Sequence, residues 1–229
     1  MLIYHGSDHI IERPLLNAGK TNNDYGQGFY CTEKFDMAGE WACKDNKDGF
    51  INSYELNTDG LTHINLCDGN YTILNWIALL LKNRKFSLNN EIAVDARDYI
   101  IENFSVDLNN VDVVTGYRAD DSYFGFAESF VENGLPVRSL AKAMYLGKLG
   151  LQTVLVSQKA FDNLTFKNAV NADKLIYYPK FKFRDLSARE TYKNEIKNSK
   201  TYKDDIFVMD IMRQEIKNDD ERLQRIVFE

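Results

Sequence analysis

Cysteine and histidine are scarce in this chain of 229 residues, with three of each. Cys31, Cys43 and Cys67 are odd in number and lack metal-ligand spacing, and His5, His9 and His63 do not complete a set. A structural zinc site is therefore not expected, and no metal is assigned. Basic charge is also short: 28 Lys and Arg against 34 Asp and Glu give −6, which argues against broad electrostatic binding of nucleic acid. Long apolar runs are missing, since the stretch ending at Leu79–Leu81 stops at Lys82 and Arg84. The start, Met1-Leu-Ile-Tyr-His5, has no basic region followed by an apolar one. The expectation is a soluble, reduced, cytoplasmic protein with no secretory signal and no membrane partner. No GxGxxG occurs either, which counts against a Rossmann domain.

What is present suffices for a sizeable core: 44% hydrophobic and 13% aromatic residues. The charge is uneven. Residues 180–203 carry eight Lys/Arg and three Asp/Glu, a balance of +5 that leaves −11 on the remainder of the −6 total. Such a stretch reads as a solvated helix face, or as a contact surface for an acidic partner or nucleic acid.

Strand-like runs are read at Leu2–Tyr4 leading into His5-Gly6-Ser7, at Gly28–Cys31, at Val111–Val114 broken by Gly116, at Gln152–Val156 and at Leu164–Phe166. Phe50–Leu56 and Leu61–Leu66 read as a hairpin across Asp59-Gly60. Asn17–Gly28 reads as a surface loop and Thr32 as the N-cap of a helix carrying Phe35, Ala38, Trp41 and Ala42 at helical spacing. Further helices are expected at 71–81, 93–104, 120–131 and 137–148, a single turn near 159–163, and two charged helices at 188–197 and 204–225. Short strands mixed with helices, without regular alternation, predict an α+β fold.

Three pieces carry candidate chemistry. His5-Gly6 ends the first strand, Gly26-Gln-Gly28-Phe29-Tyr30 opens the second, and Gln152 heads the late β-branched strand. Singly, each has an ordinary reading as a core histidine, a turn glycine, a strand tyrosine or a solvated glutamine. Together they resemble the ADP-ribosyltransferase superfamily, in the His-Tyr-Glu branch typified by the poly(ADP-ribose) polymerases. The resemblance rests on Tyr4-His5-Gly6-Ser7, on Tyr25-Gly26-Gln27-Gly28-Phe29-Tyr30, on Trp41 eleven residues after Tyr30, and on Gln152–Ser157 running into Asn163–Phe166. It covers roughly residues 1–168 and is nearest to a bacterial family of uncharacterised domains, in which Val111–Asp121 also fits.

The resemblance implies a split β-sandwich over 1–170 with a charged, mostly helical extension over 171–229. It implies NAD as substrate, released nicotinamide and a macromolecular acceptor, protein or nucleic acid. A toxin or effector role and a cognate neutralising partner belong to the same analogy. His5, Tyr30 and Gln152 are the implied catalytic set; Gly6, Ser7, Gly28, Phe29 and Trp41 join His5 and Tyr30 in binding NAD. Tyr30 and Trp41 would sandwich the nicotinamide, His5 and Ser7 would take the adenosine side, and Gly6 would let backbone groups approach the carboxamide. Gln152 stands where that branch has glutamate. It can bond a ribose hydroxyl but brings no charge, and a unit charge about 4 Å away is worth on the order of 4 kcal/mol at an effective dielectric near 20. Asp120 and Asp121 are the candidate substitute carboxylates, with a helix N-terminal pair as their plain reading. Mono-ADP-ribosyl transfer is the leading expectation. An NAD glycohydrolase and a catalytically silent NAD- or ADP-ribose-binding or protein-interaction module are the alternatives.

Overall fold

A computed structural model describes residues 1–119, 121–146, 150–198 and 202–224. The strands are β1 (Leu2–Ser7), β2 (Phe29–Cys31), β3 (Gly49–Leu56), β4 (His63–Asn65), β5 (Val113–Tyr117), β6 (Leu151–Leu155) and β7 (Leu164–Ala172). The helices are α1 (Phe35–Ala42), α2 (Ile73–Asn83), α3 (Glu91–Phe104), α4 (Asp121–Val131), α5 (Val137–Leu146), α6 (Gln158–Asp162), α7 (Lys174–Asn198), α8 (Val208–Arg213) and α9 (Glu221–Gln224). The protein is thus mixed α+β. It has two sheets, of order β1-β3-β7 and β2-β6-β5-β4. No helix among the described residues is long and apolar enough to cross a membrane.

Alternation along the strands sorts side chains into two cores. Ile3, Phe29, Cys31, Tyr54, Val113 and Leu155 meet between the sheets. Val114 and Val154, on the other face of the second sheet, join Trp76, Phe104, Phe126 and Phe130 in a larger core under the helices. Each of those phenylalanines is at most 1% exposed, so cutting one to alanine costs about 3–5 kcal/mol. Val208, Ile211 and Leu223 enter the same core, which ties α8 and α9 to it. Over the outer face of the first sheet lies α1, with Ala38 and Ala42 against Ile51. The long α7 packs on α1: Tyr177 lies where a side chain at Gly39 would intrude, and Arg184 donates twice to the buried Glu40, at 2.8 and 2.7 Å.

Several expectations are corrected. The strands around Asp59-Gly60 do not form a hairpin. Both edges of β3 are taken, by β1 and β7, so the chain crosses to the second sheet, where β4 pairs parallel to β5. Gly116 does not break β5 but lies within it, paired with Gln152, and it is glycine because a Cβ there would sit 2.1 Å from the Tyr25 hydroxyl. Thr32 is not the N-cap of α1. Lys34 is, and Thr32 spends its backbone on a bridge to Tyr4. The helix expected from 188 begins at Lys174 and runs through Pro179.

Candidate functional site

The two sheets meet edge to edge at the Tyr4–Thr32 bridge, with Tyr4 N–H to Thr32 O at 2.8 Å and Thr32 N–H to Tyr4 O at 2.9 Å. Nearby lies a cavity of about 860 Å³, whose walls include His5, Asp24, Tyr30, Trp41 and Gln152. The ring of His5 stacks on Phe29, centroids 4.4 Å apart. Its Nδ1 donates to the Tyr30 carbonyl at 2.7 Å, which leaves Nε2 as the acceptor of a neutral imidazole. Burial holds the His5 pKa below its ordinary 6.5, partly offset by that backbone bond. Tyr30 spends its hydroxyl internally, donating to the Gly26 carbonyl at 2.7 Å and accepting from Tyr25 N–H at 3.0 Å. Burial raises its pKa above the usual tyrosine value.

Gln152 is 4% exposed. Its register in β6 puts it on the face of Val154, the helix side of the second sheet, not the face that looks at β1. From there its Nε2 donates to Asp24 Oδ2 at 2.8 Å and to the Tyr117 carbonyl at 3.2 Å. Asp24 is 5% exposed, in the stretch expected as a surface loop. Its Oδ2 also accepts from Ala119 N–H at 2.9 Å, and Arg84 Nη1 stands 3.5 Å from its Oδ1. Burial pushes the Asp24 carboxyl up, while the bonds from Ala119 and Gln152 and the guanidiniums of Arg84 and Arg118 pull it back. Sequence reasoning missed Asp24. Nothing in a run of Asn, Gly and Asp marks one carboxylate as buried, and only its neighbour Tyr25 hinted that the loop turns inward.

Of the other expected residues, Phe29 and Gly28 line the cavity; Gly6 and Ser7 do not. Gly6 has a packing reason for lacking a side chain, since a Cβ would lie 1.9 Å from the Ala38 carbonyl oxygen in α1. Ser7 Oγ is engaged locally, donating to His9 O at 2.6 Å and accepting from Asn52 Nδ2 at 2.9 Å. At Gly28 a side chain would strike Val154 at 2.6 Å, while Gly26 has the positive φ, +77°, of its turn. Trp41 lines the cavity with the Arg118 guanidinium 5.0 Å over its ring, so one face already carries a cation. Asp120 lies outside the described residues, and of Asp121 only the backbone, which begins α4, is described. Arg13, Arg84, Arg118, Lys182 and Arg189 line the cavity against Asp24 and Asp185, an excess of three positive charges.

The family described as "Protein of unknown function (DUF3990)" matches residues 1–166, and the chain belongs to that family. Curated proteins and solved structures give no match.

Proposed function

We propose that the chain is an NAD⁺-dependent mono-ADP-ribosyltransferase with a split β-sandwich fold of the ADP-ribosyltransferase kind. The observation that carries this reading is convergence: His5, Tyr30, Trp41 and Gln152, far apart in sequence, line one cavity. Its volume of about 860 Å³ suits a small-molecule site, which typically spans roughly 300–1,000 Å³. The excess of guanidinium and ammonium groups suits a diphosphate.

When bound, NAD⁺ supplies a nicotinamide leaving group, and its departure builds positive charge on the attached ribose. His5 Nε2 accepts from a ribose hydroxyl on the adenosine side. Gly6 is not in the cavity lining, but beyond the Tyr4–Thr32 bridge alternation turns its N–H and C=O to the same edge as those of Tyr4, where they would offer a donor and an acceptor to a carboxamide reaching that edge. Arg84 and Arg118 hold phosphate oxygens. Tyr30 and Trp41 supply ring faces. Gln152 Oε1 accepts from the hydroxyl of the reacting ribose. With no base at position 152 to activate a sugar hydroxyl, one ADP-ribose is transferred and the chain is not extended.

Incubation with labelled NAD⁺ and candidate protein and nucleic-acid acceptors is the test. Label on a macromolecule, lost in Gln152→Ala, supports transfer. Free ADP-ribose alone makes the protein a glycohydrolase, and bound but intact NAD⁺ makes it a binding module. No binding by calorimetry ends the NAD⁺ reading.

A further inference from the structure

The amide of Gln152 is pinned from its donor side. Both partners of Nε2, the Asp24 carboxylate and the Tyr117 carbonyl, are acceptors, so the nitrogen stays with them and Oε1 is the amide atom left for the cavity. Asp24 is itself held, because the oxygen that receives Gln152 also receives Ala119 N–H. Its other oxygen, Oδ1, is buried without a hydrogen bond among the described residues. The Asp24 carboxyl group therefore sits one hydrogen bond behind the Gln152 amide, in the wall of the same cavity, with Arg84 Nη1 3.5 Å from its Oδ1.

We propose that Asp24 is a positioning residue for Gln152, and that the pair does the work of one glutamate. Asp24 fixes Oε1 toward the ribose and polarises the amide, so that the oxygen facing the developing cation is more negative than an unsupported glutamine's. This rests on the NAD⁺ reading above for its catalytic half, and on geometry alone for the orientation of the amide. It reverses the sign of a simple expectation. Gln152→Glu would set a second carboxylate against Asp24, and like charges at that separation cannot both ionise freely.

The test is a cycle of Asp24→Asn, Gln152→Glu and the double variant, followed by single-turnover NAD⁺ cleavage and by thermal unfolding. Asp24→Asn can keep an oxygen for Ala119 and Gln152 while it removes the charge and turns an amide nitrogen toward Arg84. Each single variant is expected to slow cleavage by about 10²-fold, the scale on which one preorganised group acts. The double variant, which returns one carboxylate to the pair, is expected to recover most of that loss, as strongly coupled neighbours do. A merely structural Asp24 would not give that recovery. Gln152→Glu faster than wild type, Asp24→Asn at the wild-type rate, or a double variant no faster than the slower single overturns the proposal. If the wild type neither binds nor cleaves NAD⁺, the functional reading falls separately, and the pair is judged by unfolding. Gln152→Glu should then melt below wild type at neutral pH and regain stability in the double variant. Equal melting of Gln152→Glu and wild type overturns the pairing.

Discussion

On one wall of the cavity His5, Asp24 and Gln152 lie within the family-matched residues 1–166, hydrogen-bonded to backbone or to one another. On the other, Phe181, Lys182, Asp185 and Arg189 rise from α7, beyond the match, with Lys182 and Arg189 exposed. The first wall is held in one geometry by bonds that leave few alternatives. The second is a helix face whose charged groups stand at the surface, where Arg189 pairs with Asp185 one turn away at 3.1 Å. Groups that must be placed to fractions of an ångström belong on the first kind of wall, and groups that attract and orient a charged molecule are sufficient on the second.

The hardest break of that contrast is Gly6→Ala. The added Cβ would lie 1.9 Å from the Ala38 carbonyl oxygen and 2.8 Å from the Ala42 nitrogen, both backbone atoms of α1. Either β1 or α1 must move, and the expected loss is about 3 kcal/mol or more, at the upper end for overpacking. Denaturant unfolding measures it. A loss under about 1 kcal/mol would mean that this wall yields as readily as the other.

His5→Ala comes next, with a loss of NAD⁺ affinity of about 1–3 kcal/mol by calorimetry, the cost of one unmet polar contact in a shielded site. Unchanged affinity removes His5 from the site. The same residue predicts a pH effect. Its folded pKa is depressed, so below about pH 6.5 the unfolded chain takes a proton that the folded chain resists. The His5 contribution is complete above that value and is lost as the pH falls through the folded pKa. Unfolding between about pH 7.5 and about pH 5.5 should show this loss, and His5→Asn should flatten it.

The two walls were unequally legible in the sequence. Period-two runs and turn residues located most strands, and the family resemblance, not any local pattern, named His5, Tyr30, Trp41 and Gln152, which do meet in one cavity. Pairing was harder to read. The Asp59-Gly60 turn signals a change of direction, but whether β3 had a free edge depended on β7, which starts more than a hundred residues later. Gly116 misled for a related reason: it is glycine because Tyr25 comes close, as Ala38 does at Gly6, and such contacts leave no local trace. Asp24 was hidden among polar neighbours. The start of α7 was missed because Tyr177 and Tyr178 pack inward while Leu175, Ile176, Phe183 and Leu186 stay exposed, so no single apolar stripe marks the helix.

The α7 wall is tested by reversing Lys182 and Arg189 to glutamate. The basic stretch 180–203 reads in the sequence as a solvated face or a contact surface for an acidic partner or nucleic acid, yet both residues line the cavity. Each reversal should therefore weaken NAD⁺ by less than about 1 kcal/mol, as exposed charge pairs do, and the effect should fade as salt is raised. A larger, salt-independent loss would place these side chains among the fixed groups and erase the contrast between the walls. Unchanged NAD⁺ affinity with reduced labelling of a macromolecule would return them to acceptor recognition.

The smallest expected effect concerns Trp41, which stands on α1 where the two walls approach. Arg118 lies 5.0 Å over its ring, so a nicotinamide can stack only on the other face or by displacing that guanidinium. Either arrangement changes what the indole sees, and NAD⁺ should quench its fluorescence. The Trp41 Nε1 has no hydrogen bond among the described residues, so Trp41→Phe keeps a ring face and gives up no polar contact. The expected cost in affinity is under about 1 kcal/mol, the exposed end of cation–π energies, while the quench is lost. Trp76 is the internal control. It is 1% exposed in the helical core, with its Nε1 donating to the Tyr117 carbonyl at 2.9 Å. Trp76→Phe should lower stability and leave the quench in place. A quench that survives Trp41→Phe and disappears in Trp76→Phe would move the nicotinamide end away from α1. It would then lie toward Tyr117, whose carbonyl also receives Gln152.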